Sequence, residues 1–110
     1  MKRTNLGEFE ELVLLTTGVL FDNAYSVAIA SELSKESGRK VSVSAVHPVV
    51  YRLEEKGFLS SRLGDSTANR GGKRKRLFRI TPEGKKVLDE AMALRSQLHQ
   101  KIPKVAWQNS

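Results

Sequence analysis

The stretch "RLGDSTANRGGKRKRLFRITPEG", Arg62 to Gly84, decides how the rest of the chain is organised. Its centre, Asp65 to Lys75, is polar, carries Gly71 and Gly72, and holds no apolar side chain except Ala68. On either side the apolar period is that of strands. Leu59 and Leu63 before it, and Phe78 and Ile80 after it, stand at even spacing with polar residues between the members of each pair, as strands with one buried face require. The pattern predicts an antiparallel hairpin with a long basic tip, in which Lys73 to Arg76 are consecutive cations.

Charge is concentrated in the same place. Between residues 60 and 86, nine Lys and Arg residues face only Asp65 and Glu83, so this segment accounts for the whole formal charge of +7. The remainder balances ten basic residues against ten acidic ones. A local basic surface favours a polyanionic partner such as nucleic acid, because it meets many phosphates at once.

The chain has 110 residues, 39% of them hydrophobic, which suits one domain with a modest core. With no cysteine there is no disulfide scaffold, thiolate zinc site or thiol nucleophile. His47 and His99 are far apart, and no serine or aspartate sits in a strand–turn–helix elbow that would activate a nucleophile. The residues therefore predict no catalytic group, cofactor or metal site, and a protein that is not an enzyme. "MKR", then "LVLLTTGVLF", then "AIA" imitates a secretory leader, but Glu8, Glu10 and Glu11 lie where a leader stays free of acids. The apolar run is also shorter than the ~20 residues a membrane-spanning helix needs. The reading is a cytoplasmic protein with no membrane partner.

Upstream of the hairpin the period is helical. Asn5 as N-cap and Glu8 three residues later predict a helix from Leu6 to about Leu20, burying Phe9, Leu12, Val13, Leu15, Val19 and Leu20. "DNAYS" then offers Asp22, Asn23 or Ser26 as the next cap. A second helix from about Tyr25 to Ser37 places Val27, Ile29, Ala30 and Leu33 inside, and Gly38 ends it. A third fits Ser44 to Lys56, with Ser44 as N-cap, Val46, Val49, Val50 and Leu53 inside, and Gly57 as its stop. Pro48 would then stand at the fourth helical position and forfeit only the first intrahelical bond. After the hairpin, Thr81 caps and Pro82 opens a last helix, whose stripe of Val87, Leu88, Ala91, Leu94, Leu98 and Ile102 runs to about Lys101. Pro103 ends it.

The fold class is mainly α with a small antiparallel β-hairpin: a winged helix-turn-helix with a long C-terminal dimerisation helix. Residues 1–81 would form a DNA-binding domain, 82–103 the dimerisation helix and 104–110 a loose tail. The third helix would enter a major groove, with Ser44, His47, Tyr51 and Arg52 as contacts, since positions 44, 47 and 51 recur on one helical face. The wing would lie along the backbone or in the minor groove and contribute Arg70, Lys73, Arg74, Lys75 and Arg76. Beyond a closed three-helix domain the stripe Val87, Ala91, Leu94, Leu98 and Ile102 has little to cover. A homodimer on double-stranded DNA with a palindromic operator, its half-sites ~34 Å apart, accounts for it. The same wing would serve an RNA or protein partner, although Tyr51 is the sole candidate for the exposed stacking aromatics that RNA binding uses.

"LGEFEELVLLTTGVL", "NAYSVAIASELSKESGRKVSVSAVHPVVYRLEEKGFLSSRLGD" and "RGGKRKRLFRITPEGKKVL" together resemble the PadR family of bacterial transcriptional regulators over residues 6–88. The resemblance implies a dimeric repressor, with the long C-terminal helix and often the first helix forming the dimer. It also implies, frequently, a small-molecule effector that relieves DNA binding. Similar members carry tyrosine where His47 stands, before the proline that is here Pro48, which implies a different operator preference. The C-terminal part is one helix rather than several, and Trp107 follows Pro103 in the tail instead of lying in the helix. The effector is thus implied by the resemblance alone and has no support from the residues.

Overall fold

The computed structural model describes residues 6–64 and 74–108. Along the chain run α1 (Glu8–Leu20), a 3-10 turn (Phe21–Asn23), α2 (Ser26–Ser37), α3 (Val43–Glu55), β1 (Leu59–Leu63), β2 (Arg76–Ile80), α4 (Pro82–Lys101) and a final 3-10 turn (Lys104–Trp107). Val13 and Leu14 of α1, Ile29 and Leu33 of α2, and Val46, Val50 and Leu53 of α3 meet in one core. Phe58, Leu59 and Phe78 close it from the hairpin side, and Val87 and Leu88 from α4. Each such aliphatic side chain, fully buried, contributes ~1.5–3 kcal/mol.

The strands pair antiparallel, from Leu59 opposite Ile80 to Leu63 opposite Arg76. The Gly64 amide donates to the Lys75 carbonyl at 2.7 Å and carries the ladder one step towards the tip. The expected tip residues Arg70 and Lys73, and the glycine pair between them, lie outside the described residues. Gly38 (φ 71°) and Gly57 (φ 85°) adopt the left-handed conformation at the ends of α2 and α3, as their places in the sequence predict.

Helix starts differ from the sequence reading. Asn5 lies outside the described residues. The α1 cap is Gly7, whose amide donates to Glu10 Oε1 at 2.9 Å. Glu10 is fixed from α3, as described below, and so stands where an N3 carboxylate can reach the cap. Tyr25, in extended conformation, precedes α2 without a side-chain cap, and Ser26 is the first helical residue. At α3 the cap is Ser42, not Ser44: Ser42 Oγ accepts from the Ala45 amide at 3.1 Å. Pro48 therefore stands deeper in the helix, and the bond it forfeits is to the Ser44 carbonyl.

Leu15, Val19, Val27 and Leu63, expected inside, are exposed. The α1 helix buries Val13, Leu14 and Thr17, which turns Leu15 and Val19 outward. Thr81 Oγ1 accepts from the Gly84 amide at 3.0 Å and donates to the Gly57 carbonyl at 2.6 Å, so the start of α4 is tied to the end of α3. A Cβ at Gly84 would lie 2.2 Å from the Phe58 carbonyl oxygen and 3.0 Å from Ile80 Cγ2. Gly84→Ala is expected to cost about 2 kcal/mol, read as a lower melting temperature. An unchanged midpoint would mean that α4 can lift off the hairpin freely.

Only the first part of α4 joins this packing. The radius of gyration is 16.9 Å, with a longest extent of 60 Å, whereas a compact chain of this length measures ~13 Å. Leu94 and Leu98 are 56% and 58% exposed on the projecting part. The stretch read as a loose tail includes the turn Lys104–Trp107, where the Trp107 ring lies 6.2 Å from that of His99. Among the described residues no helix is long and apolar enough to cross a membrane.

Candidate nucleic-acid interface

The core side of α3 carries Val46, Val49, Val50 and Leu53 and leaves Ser44, His47 and Tyr51 exposed on the other side. His47 Nδ1 lies 3.3 Å from Ser26 Oγ at the start of α2. The Tyr51 ring meets His47 edge-on at 5.0 Å and Phe78 at 5.6 Å. Between α3 and β2 opens a groove of about 340 Å3, whose walls include Ser26, His47 and Tyr51 on one side and Arg74, Lys75 and Arg76 on the other. Among the described residues no acidic side chain lines it.

The three wing cations are each held at one point. Arg74 Nε donates to the Gly64 carbonyl at 2.8 Å, Arg76 Nη1 donates to Ser61 Oγ at 3.0 Å, and Lys75 Nζ sits 3.9 Å above the Tyr25 ring. A guanidinium has five N–H donors and an ammonium three, so each cation keeps donors for a ligand. The structure thus gathers His47, Tyr51, Arg74, Lys75 and Arg76 around one basic groove, while Ser44 is exposed on α3 outside its lining, with its hydroxyl 3.1 Å from that of Ser42. Arg79 faces elsewhere: it pairs with Asp22 and lies 4.8 Å above the Phe21 ring.

Arg52 does not join the groove. One residue past Tyr51 is ~100° further round the helix, and Arg52 Nε donates to Glu10 Oε2 at 2.9 Å. Lys56 Nζ reaches the same oxygen at 3.0 Å. Glu10 is only 7% exposed, and a carboxylate buried to that degree requires cationic partners. Arg52 therefore belongs to the bracket between α1 and α3. Burial pushes the Glu10 carboxyl upward, but hydrogen bonds from Arg52, the Gly7 amide and Lys56 outweigh it and lower the pKa from 4.5 to about 2.

The sign of the pH effect follows from that lowered value. The bracket stabilises the fold above about pH 4.5 and loses its contribution as pH falls towards 2, by roughly 2 kcal/mol once the solvent exposure of the cations is allowed for. Urea midpoints at pH 7 and pH 3 should differ less in Glu10→Gln than in the unaltered protein. Equal acid losses in both would remove Glu10 from the account.

Glu11 makes the corresponding tie to α4, accepting from Arg95 Nη2 at 2.8 Å and raising the Arg95 pKa. These two brackets are absent from the sequence reading. Their signal was a pair of carboxylates, Glu10 three places before Val13 and Glu11 three places before Leu14, on the face that is otherwise buried.

Of the stripe assigned to a partner, Val87 is 7% exposed and lies in the chain's own core, so it has little surface to offer. Ala91 is half-buried, while Leu94, Leu98 and Ile102 are exposed, as is Met92 on another side of the helix. Among the described residues, no three His, Asp or Glu side chains come together as a metal site would require.

Comparison with known proteins agrees with this architecture. The chain is similar to a PadR-like transcriptional regulator from Bacillus cereus, at 18% identity and TM-score 0.72, covering 93% of each chain. It is similar to a PadR family transcriptional regulator from Eggerthella lenta, at 27% identity and TM-score 0.68, covering 93% of this chain and 88% of the other. No curated protein matched it. The profile of the transcriptional regulator PadR-like family matches residues 18–90, from the end of α1 through the hairpin into α4, and the chain belongs to this family of DNA-binding transcriptional regulators.

Proposed function

We propose that the protein is a dimeric cytoplasmic repressor that binds a palindromic operator in double-stranded DNA. The basic groove supports this reading most directly, because the exposed face of α3 and the cations of the wing share it. The start of α3, with Ser44 and His47 foremost and Tyr51 beside them, enters the major groove. Arg74, Lys75 and Arg76, continued by Arg70 and Lys73, meet the backbone or the minor groove. Residues 1–81 bind DNA, and α4 pairs two copies through Ala91, Leu94, Leu98 and Ile102. Leu15 and Val19 are also exposed on α1, the helix to which α4 is tied through Glu11 and Arg95. His47 occupies the position that sets operator preference apart from that of its relatives.

The test is selection of genomic duplex fragments by the purified protein, followed by a reporter driven from a selected site. Inverted repeats with half-site centres ~34 Å apart are expected, and the reporter should fall when the protein is present. With six phosphate contacts per dimer, log affinity should decline against log salt with a slope of about −5. Selection of isolated half-sites, or preference for RNA over duplex DNA, would overturn the proposal.

A further inference from the structure

We infer that Tyr51 is a positioning residue: its ring, rather than its hydroxyl, sets the wing at a fixed distance from the recognition face of α3. This inference rests on the DNA-binding reading above and adds how the two halves of the groove are held in register.

Two elements far apart in sequence must keep one spacing if they are to meet the same duplex. The α3 helix and β2 are joined across the groove by rings. His47 and Tyr51, one helical turn apart, meet edge-on at 5.0 Å and 73°, and Tyr51 meets Phe78 at 5.6 Å and 85°. Both are the edge-to-face geometry that aromatic quadrupoles favour. Phe78 is buried and cannot move without disturbing the core, so it anchors the series in the hairpin. Tyr51, 37% exposed, stands at the boundary of the core with one side towards His47.

The base of the wing is fastened on the α2 side as well. The Phe78 amide donates to the Ala24 carbonyl at 2.8 Å. Beside that bond Lys75 Nζ lies over the Tyr25 ring, and Ser26 Oγ approaches His47 Nδ1 to 3.3 Å. His47 is therefore set by Tyr51 from one side and Ser26 from the other, and the wing strand by Tyr51 and by the joint before α2. Tyr51 is the member common to both. Removing its ring cuts the direct tie between α3 and the wing and leaves each held from the α2 side alone, whereas removing its hydroxyl leaves every one of these ties in place.

The experiment compares Tyr51→Phe and Tyr51→Ala in the full chain, each alone and combined with alanine at Lys73 to Arg76, with duplex binding followed against salt. Tyr51→Phe, which keeps every ring contact, should lose no more than about threefold in affinity and should keep the salt slope of the unaltered protein. Tyr51→Ala should bind about tenfold more weakly, with a shallower salt slope. In the wing-alanine background Tyr51→Ala should cost little more, because the register it keeps has lost its use. Amide hydrogen exchange without DNA supplies a second readout: residues 76–80 should exchange faster in Tyr51→Ala and unchanged in Tyr51→Phe.

If Tyr51→Phe weakens binding as much as Tyr51→Ala, Tyr51 acts through its hydroxyl, and if the alanine effects simply add, its ring and the wing act independently; either outcome overturns the inference. Equal exchange in residues 76–80 of all forms overturns it too. Failure of the unaltered protein to bind any duplex would instead defeat the DNA-binding reading, with the exchange data still deciding whether Tyr51 holds the wing.

Discussion

Lysine at both Leu94 and Leu98 is expected to leave the protein monomeric in sedimentation and to weaken operator binding at least about 100-fold. The two leucines are 56% and 58% exposed, so the fold of the single chain has little invested in them. Surface substitutions of that kind change stability by no more than ~0.5 kcal/mol. In a two-fold dimer each position occurs twice, and four ammonium groups would enter one apolar interface, at several kcal/mol each if they were dried. The monomer would keep its helix content while losing simultaneous engagement of two half-sites, so affinity falls without unfolding. A dimer that persists would place the interface elsewhere, with Leu15 and Val19 of α1 as the next apolar surface.

Alanine at Lys73, Arg74, Lys75 and Arg76 is expected to weaken binding to all duplexes alike, by about 100- to 1000-fold at moderate salt, and to make the log–log salt slope shallower by roughly 3 to 4. In the proposed dimer that change would correspond to about two phosphates that each wing no longer neutralises. Three of the four residues stand on the groove wall opposite His47 and Tyr51. Their internal partners are a carbonyl, a hydroxyl and a ring, none of which neutralises charge. Because phosphate contacts carry no base identity, the order of preference among operators should be retained. An unchanged slope would exclude the wing from the interface, and a changed order of preference would show that the wing reads bases.

The two substitutions separate the sources of affinity. On the proposed function, the α4 change would act on how many half-sites are engaged together, and the wing change on the strength of each engagement. Glu10→Gln acts on neither directly, but loosens the bracket through which Arg52 and Lys56 hold α3 against α1.

The order of elements, the hairpin, the stops at Gly38 and Gly57 and the start of α4 at Thr81-Pro82 were all legible in the residues. Each is a local matter: a period of two or of 3.6, a left-handed position, a cap followed by proline. The locus of the net charge was legible too, because summing charge needs no contacts. Cap assignments were legible only to within two residues, since "SVSA" offers both Ser42 and Ser44 and the choice depends on how α3 meets its neighbours.

What the sequence by itself determined is therefore a winged helix with a basic hairpin and an apolar helix projecting past its own domain. Tertiary structure alone decided which apolar residues turn outward, leaving Leu15, Val19 and Val27 in solvent, and which side chain of α3 is diverted from the groove. Arg52 and Tyr51 are adjacent in sequence, yet one is claimed by a carboxylate 42 positions away and the other by a ring on β2. Periodicity specifies a face of a helix, but only packing specifies what that face meets, because a buried charge must find its counter-charge wherever the fold happens to bring it.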